Sequence, residues 1–274
     1  MVILIILIVI AILLLLYVLS VMGRRGRPEM RELKRWYYAH RGLHREGVPE
    51  NSMAAFREAL DAGYGIELDV HLLKDGSLAV IHDSDLKRVT GQAGFVEDLT
   101  AEELPRYHLL GTEETIPEFR QVLELFQGKA PLIIELKSWK ENQAALAERV
   151  CREMEGYHGP YCMESFDPWC VAWLRKNRPD IIRGQLSENF LKSDRAHPWI
   201  LRFIVTFCLE NFLTRPDFLA YHFPDRKNLS VALCRKVWGV EGVSWTLRTR
   251  EDFDRAVKEG WIPIFEGFCP EPRA

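Results

Sequence analysis

Strand-like and helix-like runs alternate from residue 36 to the end of this 274-residue chain, and that alternation narrows the fold more than any other feature. Apolar runs at 36–40, 64–71, 132–137, 161–165, 181–185, 217–222, 242–245 and 262–266 read as strands. Helix signals fall between them. Asn51 stands as an N-cap for a helix to about Ala62, Pro117 at the first position of a helix that Gly128 ends, and Asp167-Pro168 opens another. Further helical runs follow at 141–155, 199–213 and 229–238, and Thr249-x-x-Asp252 starts a last one. Lys74-Asp75-Gly76-Ser77 is a hairpin signal leading to an extra strand at 78–82. The stretch 83–115 is irregular, with one capping box at Thr100-x-x-Glu103. About eight strands, each followed by a helix, predict an α/β chain closed as a (β/α)8 TIM barrel. A doubly wound open sheet shares the alternation, but no G-x-G-x-x-G follows the first strand.

The carboxyl ends of these runs are polar. His40, Glu67 with Asp69, Glu135 with Lys137, Gln185, His222, Trp245 and Glu266 all end strands, the face on which barrel sites are assembled. Alternation along a strand puts Glu67 and Asp69 on one face and Ile66, Leu68 and Val70 on the other. Two carboxylates side by side repel, and desolvating them is costly unless a cation or an acid function compensates. With Glu135, Lys137, Arg41, His40 and His82, this set suits metal-assisted cleavage of a phosphodiester. Carboxylate oxygens fit Mg²⁺ or Ca²⁺, with Mn²⁺ also compatible, whereas the lack of a His/Cys cluster argues against structural zinc.

Residues Val2 to Met22 carry no charge and are mostly Ile, Leu and Val, enough to cross a hydrocarbon layer of roughly 30 Å as a helix. A signal peptide would show a charged leader, a shorter apolar core and a small-residue cleavage site. Residues 23–35 hold six basic residues against Glu29 and Glu32, which leaves −7 for residues 36–274 of a chain whose total is −3. The expected organisation is therefore a transmembrane anchor at 1–22, a basic juxtamembrane linker at 23–35 and a barrel domain at 36–274. The positive-inside rule puts the barrel in the cytoplasm, as a single-pass membrane protein. No nucleic-acid partner is expected, because the basic charge is concentrated beside the anchor. Six cysteines without C-x-x-C spacing read as reduced, mostly buried thiols.

The chain resembles the glycerophosphodiester phosphodiesterase family. The likeness runs through His40-Arg41-Gly42, Pro49-Glu50-Asn51-Ser52, Ala55-Phe56, Ile66-Glu67-Leu68-Asp69-Val70, Lys74-Asp75-Gly76, His82-Asp83 and Ile134-Glu135-Leu136-Lys137. It thins after Lys137 to Ser165-Phe166 and Ser244-Trp245-Thr246. Where the family ends its last strand with a Thr-Asp-x-Pro-like segment, Phe265-Glu266-Gly267-Phe268-Cys269-Pro270 stands instead. The resemblance implies a TIM barrel with a lid-like insertion at 83–115. It also implies that Glu67, Asp69 and Glu135 hold one divalent cation, that His40 and His82 act as the acid/base pair, and that Arg41 and Lys137 bind phosphate. The implied reaction is hydrolysis of glycerophosphodiesters to glycerol 3-phosphate and an alcohol. Lysophospholipase D-type chemistry on a lysolipid, a reaction that leaves a cyclic phosphate, and an inactive head-group-binding barrel are the alternatives.

Glu50 is expected either to orient His40 or a metal ligand, or to be an ordinary helix-start acid. Trp245 is expected to line the substrate pocket or to pack in the core, and Glu266 to replace a pocket acid of the family. His71 shares the Glu67/Asp69 face without an assigned role, and His44, His108, His158 and His197 read as ordinary histidines. In 199–213, Arg202, Thr206 and Glu210 form one narrow polar stripe on an otherwise apolar helix. Its spare apolar face is expected to meet either a bilayer or a neighbouring loop or copy of the chain.

Overall fold

A computed structural model describes residues 1–192 and 198–273. Its elements, in chain order, are α1 (Val2–Ser20), α2 (Met30–Leu33), β1 (Tyr38–His40), α3 (Met53–Asp61), β2 (Gly65–Leu72), β3 (Leu78–Val80), α4 (Lys87–Thr90), α5 (Phe119–Phe126), β4 (Leu132–Leu136) and α6 (Gln143–Glu153). There follow β5 (Tyr161–Ser165), α7 (Pro168–Asn177), β6 (Arg183–Ser187), α8 (Trp199–Thr206), α9 (Asn211–Thr214), β7 (Phe218–His222), α10 (Leu229–Lys236), β8 (Glu241–Leu247), α11 (Arg250–Lys258) and β9 (Ile262–Phe265).

Eight parallel strands close into a ring in the order β1-β2-β4-β5-β6-β7-β8-β9, with β9 pairing back onto β1. The expected TIM barrel is the fold. β3 is the extra hairpin strand, antiparallel to the far end of β2 through Leu72↔Leu78. Strand alternation divides the core in two. Tyr38, Ile133, Cys162, Leu186, Phe218, Ala220, Val243, Ile262 and Ile264 fill the barrel interior. The alternate positions, among them Ile66, Leu68, Val70, Ile134 and Leu219, pack outward against the helices.

The amino end of the barrel is plugged by α2, whose Met30 and Leu33 join the interior cluster. The 23–35 segment, expected as a linker, is thus docked on the domain. Arg24 forks onto Asp217 at 2.5 and 2.6 Å, and Lys34 pairs with Glu241 at 2.9 Å.

Four local expectations are corrected. The N-cap of α3 is Ser52, which accepts from the Ala55 amide; Asn51 precedes it with φ of 52° and turns its side chain into the barrel. Pro117 lies outside α5, whose cap is Glu118 in a capping box with Gln121, and the Pro117 carbonyl accepts from Val80. β6 begins two residues later than 181–185. The 199–213 run is two helices, because Cys208 takes φ of 52° and ends the first. Asp167 caps α7 with Pro168 in its first turn, and Thr100/Glu103 form the capping box, both as expected.

Candidate active site

Parallel register assembles the site. His40 pairs with Glu67, Asp69 with Glu135, and Glu135 with Glu164, so four neighbouring strands aim polar side chains into the barrel at one level. β9 closes beside β1 through Ala39↔Phe265 and brings Glu266 alongside. The resulting cavity, of about 200 Å³, is lined by residues that include His40, Arg41, Glu67, His82, Glu135 and Trp245.

Oxygens of Glu67, Asp69 and Glu135 lie within 4.8 Å of one another, all three side chains buried. Burial, then the charges of Asp69 and Glu135, push the Glu67 carboxyl well above its ordinary range. Burial likewise raises Glu135 despite the opposing Lys137 charge. Asp69 is driven the other way: burial opposes, but His82, Lys137 and Arg41 hold it far below the usual range. Its Oδ2 accepts from Asn51 Nδ2 at 2.8 Å, while its buried Oδ1 has no hydrogen-bond partner among the described residues and lies 3.5 Å from the Lys137 ammonium. Three crowded carboxylates, one with an unbonded buried oxygen, are the donor set a hard divalent cation takes, and the cluster fits one.

His40 ends β1, whereas β3 stops at Val80 and leaves His82 in the loop beyond it rather than at a strand end; both histidines line the cavity. Burial lowers His40 to about 4, against partial support from its hydrogen bond to Glu266. Burial works against Glu266 too, yet the His40 bond and charge hold its carboxyl down to about 2. The pair at neutral pH is therefore imidazole and carboxylate. Nδ1–H of His40 donates to Glu266 Oε2 at 2.7 Å, and Nε2 keeps its lone pair 3.9 Å from Glu67. His82 uses Nδ1 on Asp83 at 2.6 Å, and its carbonyl accepts from His71 Nε2 at 3.3 Å. His71 is itself fixed by Glu97 at 2.7 Å.

Arg41 and Lys137 both reach the cluster. Arg41 donates to Glu50 at 2.8 Å and lies 3.4 Å from Asp69; Lys137 donates to Glu135 at 3.1 Å. Glu50 therefore holds Arg41 and, through two bonds, Arg88 of α4, rather than orienting His40; that partner is Glu266. Arg88 also bonds Asp83, so the inserted segment is tied to both Glu50 and the partner of His82. Trp245 stands on the cavity wall, edge-on to Phe166 with centroids 5.5 Å apart and 5.3 Å from His222.

Gln185 is a strand-end residue turned away from the site. Leu186, paired with Ala220 of β7, faces the interior, so Gln185 points away, its amide donating to the Ser165 and Phe166 carbonyls. Two further residues stand beside the site. Glu164 is 1% exposed, faces the cavity beside Glu135 and is raised well above its usual range by burial. The inward alternation Cys162, Glu164 in the strand 161–165 was the available signal. His44, read as ordinary, offers a nitrogen within 4.8 Å of His40 and Glu266 ligand atoms. His197 lies outside the described residues.

A ring of parallel strands with paired histidines and an acidic cluster at its carboxyl mouth defines a barrel phosphodiesterase. Residues 40–267 match the glycerophosphoryl diester phosphodiesterase family, and the chain belongs to that family. It is 33% identical over 238 residues to a glycerophosphodiester phosphodiesterase of Caldanaerobacter subterraneus subsp. tengcongensis, covering 83% of this chain and 92% of that one. A lysophospholipase D of Rattus norvegicus is 35% identical over 144 residues, 48% of this chain and 44% of the other. Among solved structures, a phosphodiesterase of Oleispira antarctica in complex with the product sn-glycerol-3-phosphate superposes with a TM-score of 0.68 at 22% identity, covering 85% and 93%. The chain is accordingly a phosphoric diester hydrolase of the glycerophosphodiester phosphodiesterase class.

Proposed function

We propose that this enzyme hydrolyses glycerophosphodiesters to glycerol 3-phosphate and an alcohol with His40 as base and His82 as acid. The observation that carries the reading is a neutral His40, its Nε2 lone pair turned into the cavity that His82, Glu67 and Glu135 also line. Nε2 of His40 takes a proton from the water whose oxygen forms the new P–O bond as the bond to the leaving alkoxide breaks, and Glu266 stabilises the imidazolium that forms. His82, fixed at Nδ1 by Asp83, delivers the proton to the leaving alkoxide through Nε2. Arg41 and Lys137 neutralise phosphoryl oxygens, and Glu50 holds the Arg41 guanidinium in place. Trp245 and Phe166 wall the organic part of the substrate.

Glu67, Asp69 and Glu135 would hold the cation. Bound there, Mg²⁺ or Ca²⁺ (or Mn²⁺) supplies Lewis-acid polarisation of a phosphoryl oxygen. Residues 1–22 form the membrane anchor, with the barrel on the cytoplasmic side of a single-pass protein. The 19-residue α1, with a mean hydropathy of 3.7 and none of its apolar window buried, supports the anchor. That same anchor, with the likeness to the rat lysophospholipase D, favours lysolipids as a second substrate class.

Product analysis on glycerophosphocholine, glycerophosphoethanolamine and lysophosphatidylcholine tests the reading. Glycerol 3-phosphate release that chelator abolishes and added cation restores is the expected result. Lysophosphatidic acid from the lysolipid alone moves the assignment to the second class, and a cyclic phosphate shows attack by a substrate hydroxyl. Turnover of none of the three with any of the cations refutes the enzyme reading. Resistance of the chain to extraction by alkaline carbonate tests the anchor.

A further inference from the structure

α8 keeps polar residues on the side turned to the domain. Arg202 there donates to the Phe190 and Leu191 carbonyls, beside Val205 and Thr206, 8% and 1% exposed. The outer side carries Trp199, Ile200 and Phe203, exposed at 74%, 56% and 42%. A water-facing helix is polar outside, and contiguous apolar exposure of this kind marks a surface that meets something apolar.

What covers it follows from α1. Tyr17 bonds Ser230 in the first turn of α10, and Cys234, one turn later, donates to the Val21 carbonyl. The two helices therefore run side by side in the same direction. α10 follows β7, so that direction is from the mouth of the barrel to its amino end. The part of α1 before Tyr17 leaves the domain on the mouth side, where α8 and α10 also begin. Residues 2–16 are all exposed and give about 22 Å of helix, against a hydrocarbon layer of roughly 30 Å. The shortfall, roughly 8 Å, is made up when the docked turns of α1 and the surface beside them enter the interface, a depth typical of interfacial helices. The mouth-side surface there includes Leu191, Trp199, Ile200, Phe203 and Leu229.

We propose that this face is a second bilayer contact, which sets the barrel mouth toward the phospholipid surface. The proposal rests on α1 being the membrane anchor. It gives the active site direct access to substrates that leave or enter the lipid plane.

The test uses the full chain in phospholipid nanodiscs, with the exposed Cys269 replaced by Ser and a fluorophore on I200C, F203C or V237C. Val237 is exposed at the carboxyl end of α10, toward the amino end of the barrel and away from its mouth, and serves as the control. Far-ultraviolet circular dichroism checks that each labelled chain is folded. Spin-labelled lipid is expected to quench positions 200 and 203 several-fold more than 237. Equal quenching at all three, or none at 200 and 203 in a chain that resists carbonate extraction, overturns the proposal while leaving the anchor intact. Labels shielded from lipid together with a doubled protein mass mean a second copy covers the face, and also overturn it. Release by carbonate removes the anchor reading and this proposal with it.

Discussion

Glu266 and His40 lie at opposite ends of the chain and form one hydrogen-bonded pair, so the histidine's tautomer depends on the last strand of the barrel. Removing the carboxylate leaves Nδ1 without its fixed acceptor. Glu266→Ala should lower kcat about 10- to 100-fold, the usual size for losing an orienting partner, with Glu266→Gln milder because its amide oxygen still accepts. His40→Ala and His82→Ala should each cost roughly 10²- to 10⁴-fold in kcat with an unchanged circular dichroism spectrum. Steady-state kinetics on glycerophosphocholine check both; near-wild-type turnover in either histidine variant rejects its acid/base role. The carboxylate cluster makes a separate prediction. Cation at about 100 times its dissociation constant stabilises by about 2.7 kcal/mol, a rise of about 5–10 °C in Tm for a domain of this size. Glu67 and Glu135 hold protons above their ordinary range, and a cation must displace them. The Tm gain should therefore grow as pH rises above the ordinary carboxylate range and be much reduced in Glu67→Gln. A gain independent of pH, or retained in Glu67→Gln, contradicts the ligand assignment.

At the level of elements, β6 shows how pairing with neighbours decides a strand's contribution. Its register with β7 sends Leu186 inward, leaves Gln185 against β5, and puts Gly184 where a Cβ would meet the Phe218 ring at 2.1 Å. The close approach of β6 and β7 requires a residue without a side chain. Gly184→Ala should destabilise by about 1–3 kcal/mol through overpacking, and Phe218→Leu in the same chain should recover part of that. Chemical denaturation of the single and double variants measures it; a neutral Gly184→Ala would mean that the ring moves aside freely. The inserted 83–115 segment has its own role. Arg88 ties it to Glu50 and Asp83, so Arg88→Ala should raise KM more than it lowers kcat, because the substrate-side clamp loosens while both histidines stay.

For the whole molecule, closure of the barrel at its amino end depends on residues ahead of the first strand. Leu33 is 2% exposed and packs with Met30 beneath Tyr38 and the interior layer. Leu33→Ala should cost about 2–5 kcal/mol, the range for a buried leucine, seen as a lower midpoint in a denaturation curve. A chain beginning at residue 36 should be destabilised at least as much, since it loses the whole plug together with the Arg24–Asp217 and Lys34–Glu241 pairs. A truncated chain as stable as the full one would show that the barrel closes without α2.

The sequence by itself determined the barrel, the strand that carries Glu67 and Asp69, and the run from His40 to Lys137 that contains most of the site. Those features are local: alternation of apolar residues fixes a strand's faces, and caps and turns fix helix ends. Pairings between distant segments had no local signal. Glu266 on His40, Asn51 on Asp69, Arg88 across Glu50 and Asp83 and the exclusion of Gln185 all follow from closure and register, which only the assembled ring fixes. The same holds for α8, where composition gave an apolar helix but only packing decided that its polar side turns inward.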